Sequence, residues 1–366
     1  MRIRGKGLAN LLDKIRLLGG LLDGERSFVG PFFATAYVTR RCNLHCPGCP
    51  HHQPGLQGQG AVTAPADLSL SMLKAFVKGL AAARTQSLCL TGDGEPLLHP
   101  ELPQMVKVAK EAGLEVTVQS NATRLDDAMA RALCEAGLDV LRVSLWAAKV
   151  EDWKALHTDD SPAQFQAALD GVARLIKRRR ALGSRPPRVV LHQPVIRAGV
   201  RRLSDLADLA VRLGCDGVSF GLVHDPKRAG RDLVPDVAEI EVVMDSLRRL
   251  RPFLDGHGLS HNLDGLTVAC RAGEQTWQNV PCYIAWLHLV LIQDGTVRPC
   301  CRCPVPLGDL KTQPLIEIWN SPAARAFRRQ ARNPDGLARL AAKTCDCTFC
   351  PYVEDNARVH DRARWL

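Results

Sequence analysis

Residues 41–50 read Arg-Cys-Asn-Leu-His-Cys-Pro-Gly-Cys-Pro, with three and then two residues between successive cysteines. Three thiolates at this spacing can hold three irons of a 4Fe-4S cubane and leave the fourth iron open. An open iron can chelate the amino and carboxylate groups of a methionine-derived ligand. A zinc site would need a fourth ligand, for which His51 or His52 is available. The spacing favours the cluster, so the candidate catalytic and metal-binding residues are Cys42, Cys46 and Cys49.

Short β-rich runs alternate with amphipathic helices from residue 33 to residue 221, the pattern of parallel βα units. Six strands are predicted, at 33–39, 87–90, 115–119, 140–144, 189–193 and 218–220. Helices are predicted at 70–83, 102–112, 126–136, 163–180 and 203–213. Glycine, the residue preferred just beyond a helix end, follows four of them at Gly113, Gly137, Gly183 and Gly214.

Six units are fewer than the eight of a closed barrel. We therefore predict an α/β fold, a partial (β/α)6 TIM-like barrel with a small cysteine-rich C-terminal domain. The cysteine segment follows the first strand, at the strand ends where a barrel gathers its active site. The predicted regions are an N-terminal amphipathic helical extension (1–30), the barrel (31–225), a helical linker (226–279) and the cysteine-rich domain with its tail (280–366).

The 366 residues are 46% hydrophobic and 23% charged, with a formal net charge of +10, which excludes wholesale disorder. The basic residues are scattered and few aromatic residues lie among them, so we expect no nucleic-acid partner. An anionic small-molecule substrate is compatible with this balance. Arg197, Arg201 and Arg202 are candidates for an acidic or phosphorylated ligand, although a solvated loop explains them equally well.

The sequence has no apolar run long enough to span a membrane and no signal peptide, so we predict a cytoplasmic protein without a transmembrane segment. Residues 8–22 place Leu and Ile at helical spacing, which suits packing against the barrel or, less favoured, a weak membrane-surface contact. Fourteen cysteines in a reducing compartment indicate metal binding or catalysis. Cys89 and Cys134 are interpreted as small core residues.

The segments after the predicted strands resemble the radical S-adenosylmethionine (radical SAM) superfamily. Residues 91–100, Thr-Gly-Asp-Gly-Glu-Pro-Leu-Leu-His-Pro, are similar to its Gly-Gly-Glu-Pro element, which receives the methionine ammonium, with Asp93 replacing the first glycine. Residues 119–123 are similar to the segment near the ribose and carboxylate. The resemblance implies cofactor-binding residues at successive strand ends: Gly92, Asp93, Gly94, Glu95, Ser120, Asn121, Ser144, His192 and Gln193.

Two further positions depart from the family pattern. The residue before the third cysteine is often aromatic in this family and touches adenine, but here it is Gly48. Trp146 stands where an acidic residue is common. We therefore expect other groups to hold the adenine.

The same resemblance implies the activity. A reduced 4Fe-4S cluster cleaves S-adenosylmethionine, and the resulting 5′-deoxyadenosyl radical abstracts a hydrogen from the substrate. We predict a radical SAM oxidoreductase or related C–H activating enzyme, supplied with electrons by a donor such as flavodoxin or ferredoxin.

A second set of cysteines lies near the C-terminus. Twelve residues separate Cys282 from Gly295, four separate Gly295 from Cys300, and Cys345-Asp-Cys347-Thr-Phe-Cys350 closes the set. The set resembles the SPASM and shorter twitch domains, whose linking segment is similar to 308–310 and 318–328 here. It implies one auxiliary 4Fe-4S cluster; the candidate ligands are Cys282, Cys300, Cys347 and Cys350, with Cys345 able to substitute for Cys347. A zinc ribbon is the alternative, and Cys301 and Cys303 are interpreted as surplus, filling space or donating a hydrogen atom.

We predict a small-molecule substrate such as a sugar, nucleoside or aminocyclitol, and a dehydrogenation or an epimerisation. An auxiliary cluster can accept the electron left on an oxidised product, which favours dehydrogenation. Radical modification of a peptide or protein is the first alternative, weakened because the segment before the first strand is short compared with a leader-binding domain. A non-catalytic iron–sulfur or zinc protein is the second.

Overall fold

The computed structural model describes residues 8–46, 48–49, 66–156, 162–184, 186–223, 231–272, 280–333, 335–336, 339, 350 and 352–363. The strands of this part are β1 (Phe33–Tyr37), β2 (Ser87–Thr91), β3 (Glu115–Ser120), β4 (Val140–Ser144), β5 (Arg188–Val195), β6 (Gly217–Leu222), β7 (His288–Leu291), β8 (Thr296–Arg298) and β9 (Gly308–Asp309). They form one sheet in the order β6-β5-β4-β3-β2-β1-β7-β8-β9.

The α-helices of the described residues are α1 (Leu8–Asp23), α2 (Leu70–Ala82), α3 (Leu102–Glu111), α4 (Asp127–Glu135), α5 (Val150–Leu156), α6 (Pro162–Ala181), α7 (Leu203–Leu213), α8 (Val237–Gly256), α9 (Leu263–Ala272), α10 (Leu315–Trp319), α11 (Pro322–Ala331) and α12 (Val353–Ala363). The four glycines predicted at helix ends have positive φ, as a left-handed C-terminal residue requires. Each of the six predicted strands is present within two residues of its expected bounds.

Strands β1 to β6 are parallel and follow one another in chain order, which confirms the partial (β/α)6 arrangement. Their side chains alternate between two faces. On β3, Val116 and Val118 are buried while Thr117 and Gln119 are partly exposed, and α3 packs against this strand. We call the face away from the helices the lumen face. Its members include Thr35, Tyr37, Cys89, Thr91, Thr117, Gln119, Arg142, Ser144, His192 and Ser219.

The sheet continues into the cysteine-rich C-terminal region. Strand β7 pairs in parallel with β1, with His288 opposite Phe33, and β8 and β9 then add as antiparallel strands. The predicted boundary at residue 280 therefore separates strands of one continuous sheet. The consequence for function is that the C-terminal cysteines are attached directly beside β1, the strand that leads into the first cysteine loop.

Arg328 on α11 joins the C-terminal region to the segment after α1. It is 1% exposed, and its guanidinium donates to the carbonyls of Ala285 (2.9 Å), Trp319 (2.8 Å) and Glu25 (3.2 Å) and to Asn320 Oδ1 (3.0 Å). It also lies 4.4 Å from the centre of the Trp319 ring. Burial lowers the pKa of Arg328 to about 9. A buried cation with this many partners fixes the position of each segment that it contacts.

The predicted N-terminal helix is α1, and it packs against the 3-10 turn Tyr283–Trp286. The side-chain space of Gly20 is bounded by Trp286, whose indole N–H donates to the Arg26 carbonyl at 3.4 Å. Several apolar side chains of this helix remain exposed: Leu11, Leu12, Ile15 and Leu22. Within the described ranges, no helix is long and apolar enough to cross a bilayer.

Candidate active site

The first cysteine loop, residues 42–49, leaves β1 at the edge where the parallel strands end. Cys42, Cys46 and Cys49 are half-buried, and the Cys49 N–H donates to the Cys46 carbonyl at 3.1 Å. Burial raises the pKa of Cys42 to about 11, with smaller contributions from nearby Glu95 and Cys49. These cysteines therefore share one site with Glu95, and thiols of this kind release protons when they bind metal.

Arg41 fixes the start of this loop. Its guanidinium forms a bidentate pair with Asp67, with Nε–Oδ1 at 3.1 Å and NH2–Oδ2 at 2.7 Å, and also donates to the Leu98 carbonyl at 2.9 Å. The Thr39 hydroxyl donates to the same carboxylate at 2.6 Å. The chain is thus held immediately before the first cysteine, where the loop begins.

Asn43 ties the loop to the segment after β3. Its amide N–H donates to Thr123 Oγ1 at 2.8 Å, and its oxygen accepts from Asn121 Nδ2 at 3.2 Å. Thr123 in turn donates to Asn121 Oδ1 from its backbone (2.9 Å) and its hydroxyl (2.7 Å). The sequence analysis missed Asn43, because its partners lie in a distant segment and its spacing carries no signal.

Glu95 cross-links the ends of β2 and β3. One carboxylate oxygen accepts from the Leu97 N–H (2.9 Å) and the Ser120 hydroxyl (2.6 Å), and the other accepts from the Asn121 N–H (2.6 Å). Burial raises the pKa of Glu95, against the lowering by these hydrogen bonds. A carboxylate offers about four acceptor positions, so one remains for a further donor.

Gly92 and Gly94 allow the segment after β2 to lie against the start of the cysteine loop. A Cβ at Gly92 would lie 2.8 Å from the Thr39 carbonyl oxygen, and a Cβ at Gly94 would lie 2.2 Å from that of Arg41. The Glu95 N–H donates to the same Arg41 carbonyl at 2.7 Å. Glycine is required here by the close approach of two backbones.

Trp146, just after β4, occupies the space that a side chain at position 48 would fill. A Cβ built on Gly48 would lie 2.5 Å from the end of the Trp146 ring, with Leu233 at 3.5 Å. The ring is partly exposed. The two departures from the family pattern are therefore complementary, since an aromatic ring reaches the cysteine loop from β4 instead of from the loop itself.

Ser144, His192 and Ser219 form a row across β4, β5 and β6 on the lumen face. His192 Nδ1 lies 3.0 Å from Ser219 Oγ, and burial, with a smaller effect of Arg142, lowers the pKa of His192 to about 3. Gln193 lies on the opposite, helix-covered face, where its Nε2 donates to the Trp146 carbonyl at 3.4 Å. Of these two neighbours, His192 faces the lumen and Gln193 supports the segment that carries Trp146.

The arginines after β5 have acidic neighbours within the chain. Arg197 donates to the Val234 carbonyl at 3.0 Å and pairs with Glu239 at 3.5 Å. Arg202 pairs with Asp152, while Arg201 is exposed. Two of the three candidates for binding an acidic ligand are thus already paired with carboxylates.

The C-terminal cysteines that the structure describes come together. Cys300 is half-buried and lies close to four other cysteines. Its pKa is raised first by burial and then by these neighbours: Cys301, Cys303, Cys350 and Cys282. Cys345 and Cys347 lie outside the described residues. Cys301 and Cys303, interpreted from the sequence as surplus, belong to the same group in space. The ligand set therefore has more candidates than the four sulfurs that one cubane needs.

Cys282 and Cys350 are both held by the surrounding chain. The Cys282 N–H donates to the Ala331 carbonyl at 2.9 Å. Cys350 Sγ accepts from the Tyr352 N–H at 3.3 Å and from Asn356 Nδ2 at 4.0 Å. Hydrogen bonds of this kind to sulfur stabilise thiolates that bind iron.

Tyr37, at the end of β1, lies near the C-terminal cysteines and near the segment after β2. Burial raises its pKa, with further contributions from Cys301 and Asp93. The pKa of Tyr352 is likewise raised, first by burial and then by Cys301, Cys300 and Tyr37. We call the space at the strand ends between the first cysteine loop and Tyr37 the chamber.

The residues present suit iron–sulfur clusters and S-adenosylmethionine. Three sulfur donors share one loop, Glu95 keeps an acceptor position beside them, and N–H groups point to Cys350 Sγ. No three His, Cys, Asp or Glu side chains in the described part of the chain are arranged to hold a single metal ion.

Comparisons with known proteins agree with this geometry. The sequence matches the Radical SAM superfamily over residues 36–182 and the SPASM iron-sulfur cluster-binding domain over residues 282–351. It is 24% identical to the tungsten-containing aldehyde ferredoxin oxidoreductase cofactor-modifying protein of Pyrococcus furiosus, over 87% of this chain and 88% of that protein. It is 26% identical to the PqqA peptide cyclase of Streptomyces rochei, over 84% and 79%. The fold resembles that of SuiB of Streptococcus suis bound to S-adenosylmethionine, with a TM-score of 0.65 at 12% identity over 88% of this chain and 72% of SuiB.

Proposed function

Since the chain is a radical SAM enzyme with a C-terminal SPASM domain, we propose that it oxidises a C–H bond of a small-molecule substrate in the chamber. Cys42, Cys46 and Cys49 would hold the 4Fe-4S cluster that binds S-adenosylmethionine. The C-terminal cysteines would hold one auxiliary 4Fe-4S cluster. When bound, these groups supply the oxidant that removes a hydrogen atom and an acceptor for the second electron of a dehydrogenation.

Residues of the chain then bind and orient the cofactor. The remaining acceptor position of Glu95 is the candidate for the methionine ammonium, beside Asp93 and the backbone of Gly92 and Gly94. Ser120 and Asn121, which Glu95 holds in place, carry the segment assigned to the ribose and carboxylate. Trp146 offers an aromatic face at Gly48 for the adenine, because base and indole rings stack favourably.

The observation that carries the dehydrogenation is the position of Tyr37. Its position at the end of β1 puts the phenol near Asp93, in the segment assigned to the cofactor, and near Cys301 of the C-terminal cysteines, and both raise its pKa. A substrate radical formed in the chamber would therefore lie on the side of the sheet that also carries the C-terminal cysteines. An auxiliary cluster held there would be placed to accept the remaining electron of the radical.

The test is transfer of deuterium from deuterated candidate metabolites into 5′-deoxyadenosine by the anaerobically reconstituted enzyme. A true substrate labels 5′-deoxyadenosine and yields a product two hydrogens lighter. A labelled 5′-deoxyadenosine with a product that keeps the substrate's number of hydrogens, one deuterium being replaced by hydrogen, would contradict dehydrogenation and favour epimerisation. Dithionite can serve as the electron donor in this assay. Reduced flavodoxin or ferredoxin should support the same reaction, as expected for a cytoplasmic enzyme.

Modification of a peptide is the second candidate, because the similar PqqA peptide cyclase is named for that activity. The same assay distinguishes the two. Label that comes only from deuterated peptides, and from none of the metabolites, would replace the small-molecule proposal with this one.

A further inference from the structure

Arg142 lies on the lumen face of β4, between Gln119 of β3 and Val190 of β5. It precedes Ser144 by two residues, so it lies roughly 7 Å deeper in the barrel than the strand end. Its positive charge lowers the pKa of two side chains, His192 on β5 and Cys89 on β2. The guanidinium therefore lies in the lumen, below the strand ends and near both of these side chains.

This guanidinium has no partner within the described part of the chain. Arg142 Nε is buried and makes no hydrogen bond, and no described hydrogen bond or ion pair involves the rest of the group. Its neighbour His192 is neutral at physiological pH, because burial lowers the pKa of that ring to about 3. The carboxylate on this face of the described strands, Glu115, lies towards the opposite end of the barrel and pairs with Arg188 at 3.6 Å.

Arg179 is a buried arginine of the same fold whose side chain does have partners, and it provides a comparison for Arg142. Its side chain is 9% exposed, pairs with Asp216, and donates to the carbonyls of Pro187 at 2.9 Å and Gly214 at 3.4 Å. An arginine carries five donors, and leaving them and the charge unpaired in the interior is costly. Arg142 lacks the partners that Arg179 has in the described part of the chain, so its guanidinium is available to a group from outside the chain.

We propose that Arg142 binds the carboxylate or phosphate group of the substrate within the lumen. Guanidinium matches both oxyanions with paired hydrogen bonds. The inference rests on the proposed function and defines its substrate class as a small molecule with an anionic end. That end would be held below the strand ends, so that the C–H bond to be oxidised extends up into the chamber.

The test compares melting temperatures of the anaerobically reconstituted full chain and its Arg142→Met, Arg142→Lys, Arg179→Met and Arg212→Met variants. Arg212 is exposed on α7 and controls for the loss of one positive charge. Arg142→Met should melt at or above the wild type, because it removes an unpaired charge, whereas Arg179→Met should melt lower. Inorganic phosphate or succinate should stabilise the wild type and Arg212→Met, with affinity about tenfold weaker or more in Arg142→Met and intermediate in Arg142→Lys.

Three results would overturn the site: neither anion stabilises the wild type, the anions act equally on Arg142→Met, or Arg142→Met melts as low as Arg179→Met. Loss of S-adenosylmethionine affinity in Arg142→Met as large as the loss of anion affinity would assign the arginine to the cofactor carboxylate instead. Failure of the proposed function can be distinguished from failure of the anion site. If the wild type forms no 5′-deoxyadenosine while anion binding depends on Arg142, the radical chemistry is refuted and the anion site stands.

Discussion

The two cysteine regions of this protein are assembled in opposite ways. The first places Cys42, Cys46 and Cys49 on one short loop, which neighbouring strand ends hold through Arg41, Asn43 and the Glu95 network. The second gathers its described cysteines, Cys282, Cys300, Cys301, Cys303 and Cys350, from segments far apart in the chain. A local site is determined by its spacing, whereas a distributed site exists only when the surrounding fold is in place.

Removal of one cysteine should have the largest effect, and it should be confined to one region. Cys46→Ser should lose about four irons per chain from the first site and keep the C-terminal iron, while Cys350→Ser should do the reverse. Cys134→Ser, on α4, is the control. Iron and sulfide analysis with electron paramagnetic resonance measures this. Loss of iron from both regions in Cys46→Ser would break the comparison, because the sites would then depend on each other.

Arg328→Met should give the next largest effect, on the distributed region. It leaves the carbonyls of Ala285, Trp319 and Glu25 without this donor. We expect a loss of about 3–5 kcal/mol in the free energy of unfolding, because each unsatisfied buried acceptor costs about 1–3 kcal/mol. The neighbouring Arg329 is exposed and pairs with Glu25 at 2.9 Å, so Arg329→Met should cost about 1 kcal/mol or less. Urea titration gives both values. Equal midpoints for the two variants would show that Arg328 does not hold the region together.

Substitution of Trp146 tests the first cysteine region through the affinity for S-adenosylmethionine. Trp146→Leu should weaken binding of S-adenosylmethionine about tenfold, since stacking of a base on an aromatic ring contributes about 1–3 kcal/mol. Trp146→Phe should lose less. Binding of S-methylmethionine, which has no adenine, should be unchanged. Calorimetry on the reconstituted enzyme measures the three affinities.

Moving the aromatic ring from position 146 to position 48 tests the same prediction more sharply. Gly48→Tyr alone should weaken binding, because its side chain meets the Trp146 ring. The double variant Gly48→Tyr with Trp146→Ala places the aromatic ring on the loop and should recover affinity relative to either single change. No recovery, with the cluster intact, would mean that the ring at this position does not contact the adenine.

Asn43 and Thr123 should give the smallest effect. Asn43→Ala and Thr123→Val each remove the 2.8 Å hydrogen bond between loop and strand end, at a cost of about 1 kcal/mol. The double variant should cost less than the sum of the two single ones, because both remove the shared hydrogen bond, while each also removes one hydrogen bond to Asn121. The rate of iron loss to a chelator reports the loop's stability. Fully additive rates would show that the two residues act independently.

The fold could largely be predicted from the sequence, because each βα unit carries its own local pattern of strand and helix residues. The lumen strands alternate buried and partly exposed residues, and glycines such as Gly113 and Gly214 end helices with positive φ. The continuity of the sheet through β7 could not be foreseen. Pairing of His288 with Phe33 joins segments that are distant in sequence, and neither carries a pattern that names its partner.

The candidate site was predicted where motifs are local and missed where contacts are made through space. The cysteine spacing and the Gly-Asp-Gly-Glu segment were visible in the sequence, but the contact of Trp146 with Gly48 was not. Arg142 was passed over in favour of Arg197 and Arg202, both of which the fold pairs with carboxylates. A sequence shows where charges are, and only the fold shows which of them have partners.

Formation of 5′-deoxyadenosine tests the central claim most directly. The reconstituted enzyme, Cys46→Ser and the control Cys134→Ser are incubated anaerobically with S-adenosylmethionine and dithionite, and 5′-deoxyadenosine is quantified by chromatography. We predict 5′-deoxyadenosine from the wild type and from Cys134→Ser, and none from Cys46→Ser. Its absence from the wild type with both clusters intact, or its formation by Cys46→Ser, would contradict the assignment of the first cysteine loop.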